Sequence, residues 1–185
     1  SVQFFCDEKL INLLSICNQL NKKIGSKKFI IETIHTRKTD LKTIIKVDKL
    51  IKKVSRTFNL RGLNSIDLII PDENKELLKV IEINSRPGLS INILSKIYRS
   101  NFLDTNIKYI EPKGTYATKI LYSSKKIKVD NTIFKKIIKF QNSPHYSELP
   151  TKNEIIDKNM PICLIHSESQ DELEMKKKLR YLTNN

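Results

Sequence analysis

Residues 60–70 read LRGLNSIDLII, and residues 80–88 read VIEINSRPG. Both segments are rich in branched apolar residues, and the polar run Pro71 to Glu76 separates them. This pattern predicts two antiparallel strands, Ser65 to Ile70 and Leu78 to Asn84, with the polar run as the connecting loop. Because side chains alternate between the two faces of a strand, one set of residues is assigned to the core and another to the opposite face. The core set is Ile66, Leu68, Ile70, Ile81 and Ile83, and the opposite set is Ser65, Asp67, Ile69, Val80, Glu82 and Asn84.

The register of this hairpin predicts a pair of opposed carboxylates. If Pro71 pairs with Leu78, Asp67 lies directly across from Glu82. Two opposed carboxylates repel each other, unless a hard divalent cation such as Mg²⁺ binds between them. Asn84 adds an amide oxygen on the same face. A hairpin whose solvent face is simply acidic is the alternative, and the residues alone leave both interpretations open.

The two segments resemble the end of the ATP-grasp domain, where an acidic residue on one strand and Glu-x-Asn on the next hold the Mg²⁺ ions that bridge the ATP phosphates. The resemblance implies that Asp67, Glu82 and Asn84 bind Mg²⁺ or Mn²⁺ and, through it, ATP. Arg86 matches an arginine that in many members faces the acyl-phosphate and the substrate carboxylate, which implies a catalytic role. Ser85 departs from the pattern, because proline is usual there.

The resemblance is nearest to tyramine–glutamate ligase and the predicted ATP-dependent carboligases. It implies an enzyme that joins a small-molecule acid to an amine through an acyl-phosphate. The implied fold is α+β, with the C-terminal subdomain of an ATP-grasp fold in residues 1–110 and a small C-terminal α/β unit in residues 111–185. The N-terminal half of such a ligase is expected upstream, so the chain is expected to be an incomplete ligase on its own.

The remaining pattern predicts the other elements of this α+β fold. In the first part we expect a hairpin of Val2 to Cys6 with Leu10 to Ile16, a strand at Lys28 to Ile34, a helix at Leu41 to Phe58 with Asp40 as its N-cap and Gly62 as the break after it, and a helix at Ser90 to Arg99. In the second part we expect a strand at Thr115 to Tyr122, a helix at Asn131 to Phe140, a strand at Pro161 to His166, and a helix at Gln170 to Leu182 with Leu173, Leu179 and Leu182 facing inward.

The composition of the chain limits the classes of binding partner that we expect. The net charge of +14 raises the alternative of a non-catalytic basic module that binds RNA or a partner protein. The basic residues are dispersed and lack interleaved aromatic residues, which favours solvated lysines over a nucleic-acid surface. The three cysteines are widely spread, and no apolar run approaches the ~20 residues that cross a bilayer. We therefore expect a cytoplasmic protein without a disulfide framework, a His/Cys metal site or a membrane partner.

Overall fold

The computed structural model describes residues 1–71, 77–98 and 107–184, without the side chains at positions 27 and 28. The chain divides into two compact units. The first comprises Ser1–Asn18 and His35–Lys113, and the second comprises Gln19–Ile34 and Gly114–Asn185. The predicted loop after Pro71 and the predicted helix end at Arg99 lie outside the described residues. The roles assigned above to residues 1–110 and 111–185 stay predictions.

The first unit is built on antiparallel strands. The elements up to residue 98 are β1 (Val2–Cys6), β2 (Ile11–Ile24), β3 (Lys27–Thr36), α1 (Leu41–Thr57), β4 (Gly62–Ile69), β5 (Lys79–Asn84) and α2 (Ile91–Tyr98). All of them belong to the first unit except the end of β2 after Asn18 and the part of β3 before His35. β1 lies between β2 and β4, and β5 pairs with the other side of β4. All three pairings are antiparallel, as the predicted hairpins require.

The core of the first unit lies between this sheet and α1. Its buried residues are Val2, Phe4, Cys6, Leu13, Ile16, Val47, Ile51, Val54 and Ile66. The N-cap prediction is confirmed, because Asp40 accepts hydrogen bonds from the backbone N–H of Thr43 at 2.9 Å and from its hydroxyl at 2.7 Å. These bonds hold the pKa of Asp40 below its ordinary value. The helix ends at Thr57, and Asn59 turns the chain with a φ of 49°. Gly62, the predicted break, instead begins β4 with a φ of 71°.

The apolar stripe of α1 gives a direct test of this packing. Ile51 is 0% exposed, whereas Ile45 on the same helix is 46% exposed. Ile51→Val should lower the free energy of unfolding by about 1 kcal/mol, because it removes one buried methylene. The matched variant Ile45→Val should change it by less than about 0.5 kcal/mol. Urea denaturation of both variants measures the difference, and equal losses would contradict this assignment of the core.

The second unit also combines antiparallel strands with helices. Its elements after β3 are β6 (Thr115–Tyr122), β7 (Ile127–Lys128), α3 (Asn131–Ile137) followed by a 3₁₀ turn (Ile138–Phe140), β8 (Tyr146–Ser147), β9 (Ile155–Ile156), β10 (Pro161–Ser169) and α4 (Glu172–Asn184). β10 pairs antiparallel with β6 and with β8, and β7 pairs with β9. Antiparallel sheets with packed helices confirm the predicted α+β class.

One inward residue of α4 was predicted wrongly. Leu179 and Leu182 are buried as expected, but Leu173 is 65% exposed and Met175 takes the inner position. Residues 175, 179 and 182 step by four and three, which places them on one face of a helix. Leu173 lies two residues before Met175 and therefore points to the other side of α4.

The three cysteines are buried and free. Burial raises the pKa of Cys17 and that of Cys163 to about 11, so both stay protonated near neutral pH. They pack as small apolar side chains. No helix in the described part of the chain combines the length and apolarity needed to cross a membrane.

Candidate functional site

The paired strands β4 and β5 bring the predicted carboxylates together. Ser65 pairs with Asn84, Ile66 with Ile83, and Asp67 with Glu82. This is the predicted register, and directly paired residues share one face of a sheet. Ile66 and Ile83 belong to the core side. The side chains of the Asp67–Glu82 pair and of Asn84 therefore belong to the opposite face.

A β-bulge interrupts the ladder immediately beyond the carboxylate pair. The next pairs are Leu68 with Val80 and Ile69 with Lys79, which leaves Ile81 as an extra residue on β5. The register inferred from a Pro71–Leu78 pair is therefore shifted by one residue beyond Asp67.

Two face predictions fail because of this extra residue. Ile81, expected in the core, is 62% exposed. Val80, expected beside Glu82, pairs instead with Leu68, which packs against the core. Bulges bend a strand and redirect its side chains, and they are frequent beside active sites.

The turn after Asn84 rests on side chains from two other strands. Gln3 of β1 donates from Nε2 to the Gly88 carbonyl oxygen at 3.1 Å and to Ser90 Oγ at 2.9 Å. Ser65 of β4 donates from Oγ to the Arg86 carbonyl oxygen at 3.4 Å. Hydrogen bonds from the buried side chains of Gln3 and Ser65 thus fix the turn. Sequence reasoning did not identify these contacts, although Gln3 is the one polar residue in the strand VQFFC.

Arg86 lies on the exposed side of this turn. Its Nη1 donates to the neighbouring Pro87 carbonyl oxygen at 3.4 Å. An exposed guanidinium can pair with an anion such as a phosphate. Arg86 lies two residues beyond Asn84, the last residue of the strand that carries Glu82.

The donor set fits a hard divalent cation. Asp67, Glu82 and Asn84 offer two carboxylates and one amide oxygen, which are ligands that Mg²⁺ and Mn²⁺ prefer. Asp67 is half-buried and Glu82 is exposed. Three protein ligands would leave further coordination positions for phosphate oxygens and water. Across residues 1–71, 77–98 and 107–184 no group of three or more His, Cys, Asp or Glu side chains could hold a metal.

Comparison with known proteins points to a family for the first half of the chain. Residues 1–90 match the ATP-grasp domain family. A search of curated proteins found no significant match.

Solved structures share the fold at low sequence identity. L-amino acid ligase from Bacillus licheniformis superimposes with a TM-score of 0.68 at 14% identity, over 99% of this chain and 49% of its own. Carboxyaminoimidazole ribonucleotide synthase from Aspergillus clavatus, complexed with ATP, superimposes with a TM-score of 0.66 at 12% identity. The match covers 99% of this chain and 48% of the synthase. Phosphoribosylglycinamide synthetase from Anaerococcus prevotii superimposes with a TM-score of 0.63 at 14% identity. The match covers 100% of this chain and 51% of the synthetase.

The chain thus spans about half the length of the solved structures that it matches. The finer resemblance to tyramine–glutamate ligase stays a prediction. Residues 1–90 thus match the ATP-grasp domain family, and the chain shares the fold of the solved L-amino acid ligase and phosphoribosylglycinamide synthetase.

Proposed function

We propose that this chain is part of an ATP- and Mg²⁺-dependent ligase that joins a carboxylate to an amine through an acyl-phosphate. One observation carries the proposal: Asp67 is paired with Glu82, and Asn84 lies on the same face beside a bulge. The ATP-grasp match covers all of these residues. The solved neighbours include an L-amino acid ligase and a synthase crystallised with ATP, which supports ligation driven by ATP.

Each site residue has a defined task in this proposal. Asp67, Glu82 and Asn84 would hold Mg²⁺ or Mn²⁺ against the ATP phosphates. When bound, the metal neutralises charge on the phosphoryl group that moves to the carboxylate. Arg86 would orient the substrate carboxylate and stabilise the negative charge of its phosphorylated form. None of these side chains needs to act as a covalent nucleophile, because positioning and electrostatics lower the barrier.

We further propose that an N-terminal half completes the site. The chain corresponds to about half of each solved neighbour, and the resemblance assigns adenine and further phosphate contacts to the missing half. The substrates would be a small-molecule acid and amine in the cytoplasm, as in the tyramine–glutamate ligase and carboligase group. The isolated chain should therefore bind ATP weakly.

Thermal denaturation with titrated metal and nucleotide tests the proposal. Mg²⁺ or Mn²⁺ with ATP should raise the free energy of unfolding by about 1.4 kcal/mol when the ligand reaches tenfold its Kd. EDTA should abolish this stabilisation, because the metal bridges the protein and the phosphates.

The net charge of +14 favours one competing function, a basic module that binds RNA or a partner protein without catalysis. That function predicts no response to metal and ATP. It predicts instead an affinity for RNA that falls steeply as salt is raised. This combination of results would replace the ligase proposal.

A further inference from the structure

A row of polar side chains crosses the sheet of the first unit beside the carboxylate pair. Gln3 of β1 pairs with Ser65 of β4, and Ser65 pairs with Asn84 of β5. Direct partners share one face, so all three belong to the face of Asp67 and Glu82. This row lies one step along the strands from the carboxylate pair, because residues 65 and 67 are successive on that face.

The row is buried where it meets the turn. Gln3 and Ser90 are 0% exposed, and Ser65 is 2% exposed. Buried polar groups cost free energy unless they are hydrogen-bonded, so their partners fix their positions. Gln3 supplies two hydrogen bonds to the turn, at the Gly88 carbonyl and at the Ser90 hydroxyl. Ser65 supplies a third, at the Arg86 carbonyl.

Gly88 shows how closely the turn packs on these side chains. A Cβ at this position would lie 3.0 Å from Ser65 Oγ and 3.3 Å from Gln3 Nε2. The backbone therefore rests directly on the two polar groups, which a larger residue would have to displace. The Gly88 carbonyl also accepts from the Ile91 N–H at 3.0 Å, which connects the turn to the start of α2.

Ser65 contacts the chain at Asn84 and again two residues later. Its backbone pairs with Asn84 in the ladder, and its hydroxyl bonds to the carbonyl of Arg86 two residues later. The direction of the chain as it leaves β5 is thereby set from Asn84 to Arg86. A change in the turn would move the Asn84 amide and the Arg86 guanidinium together.

The geometry points to Gln3 and Ser65 as positioning residues, which we call the turn clamp. The turn clamp holds residues 85–90 so that Asn84 and Arg86 face the same metal-bound phosphate as Asp67 and Glu82. This inference rests on the proposed function and names residues that the metal-ligand pattern does not include. The clamp residues themselves do not touch the ligand. They act through the backbone of the turn.

Affinity for Mn²⁺ alone, measured in the full chain by electron paramagnetic resonance of the free ion, tests the turn clamp. Ser65→Ala and Gln3→Met should each raise the Kd about tenfold, as changes behind metal ligands do. Ser15→Ala is the matched control, because Ser15 pairs with Gln3 on its other side and is also 2% exposed, but its hydroxyl forms no hydrogen bond with the described residues of the turn. Its Kd should equal that of the wild type.

A double-mutant cycle separates positioning from general stability. If the clamp acts through Asn84, Ser65→Ala combined with Asn84→Ala should bind Mn²⁺ within about twofold of Asn84→Ala alone. Additive losses would overturn the inference, as would equal Kd values for Ser65→Ala and Ser15→Ala. Should Gln3→Met fail to fold, the serine variants still decide the question.

The variant Glu82→Gln distinguishes a failure of the turn-clamp inference from a failure of the proposed function. If Glu82→Gln weakens Mn²⁺ binding and Ser65→Ala does not, the ligase proposal stands and the turn clamp is wrong. If the wild type binds no Mn²⁺, or Glu82→Gln leaves the Kd unchanged, the metal site is wrong and the turn clamp falls with it.

Discussion

In the complete ligase that we propose, Asp67→Asn combined with Glu82→Gln should lower kcat/KM by at least about 1,000-fold, equivalent to about 4 kcal/mol of transition-state stabilisation. The two substitutions keep the shape of the side chains and remove both negative charges from the proposed metal site. The amide oxygens that remain are weak ligands for Mg²⁺. Steady-state kinetics at saturating ATP and varied Mg²⁺ measures the loss.

A matched control keeps the same chemical changes away from the site. Glu8 is exposed in the turn after β1, and Asp48 lies on α1 in an ion pair with Lys52 at 2.6 Å. Asp48→Asn combined with Glu8→Gln should leave kcat/KM within about twofold, because surface ion pairs contribute little. Comparable losses in the two double variants would show that net charge, rather than metal binding, controls the activity.

Arg86→Ala should lower kcat/KM of the complete ligase by about 100-fold, near the loss of about 2.7 kcal/mol found when one charge-stabilising donor is removed. Arg86→Lys should keep the fold and recover only part of the activity, because lysine has no bidentate geometry. Since the Arg86 side chain is exposed, the midpoint of thermal denaturation should not change.

Arg61→Ala is the control for this prediction. Arg61 is also exposed and donates only a long hydrogen bond of 3.4 Å to the Asp7 carbonyl oxygen among the contacts described. Its removal should leave kinetics unchanged. If Arg86→Ala stayed within about twofold of the wild type, a difference of about 0.4 kcal/mol, Arg86 would have no catalytic role.

Local pattern was sufficient for the central pair of the candidate site. Alternating apolar residues and the length of the polar run placed Asp67 opposite Glu82, and β4 and β5 have that pairing. The helix α1 could also be predicted from the sequence, because its apolar residues recur at helical spacing after an N-cap. Both features depend on residues that are close in sequence.

The bulge at Ile81 could not be predicted from the same pattern. The segment VIEIN is compatible both with a regular strand and with a strand that contains one extra residue. Its apolar pattern therefore gives no signal for a bulge. Only the pairing of Asp67 with Glu82 and of Leu68 with Val80 shows where the ladder shifts. The exposure of Ile81 is the consequence that sequence alone missed.

The turn clamp was missed for a different reason. Gln3 and Ser90 are 87 residues apart in the chain, and their hydrogen bond exists only because β1 pairs with β4. Long-range pairing of this kind leaves no periodic signal. A polar residue in the middle of the apolar strand VQFFC marked the position of Gln3, but it did not identify the partner.

The bulge gives the β4–β5 hairpin two registers that meet at one joint. From Ser65 to Asp67 the partners follow one alignment, and from Leu68 to Ile69 they follow another, offset by a single residue. A change in the number of residues joining the two strands can therefore be absorbed at the joint, without passing into the segment that carries Glu82 and Asn84. The segment that carries Glu82 and Asn84 is thus aligned through Ser65 and Ile66, which also pair with β1, and the segment beyond the bulge is aligned separately.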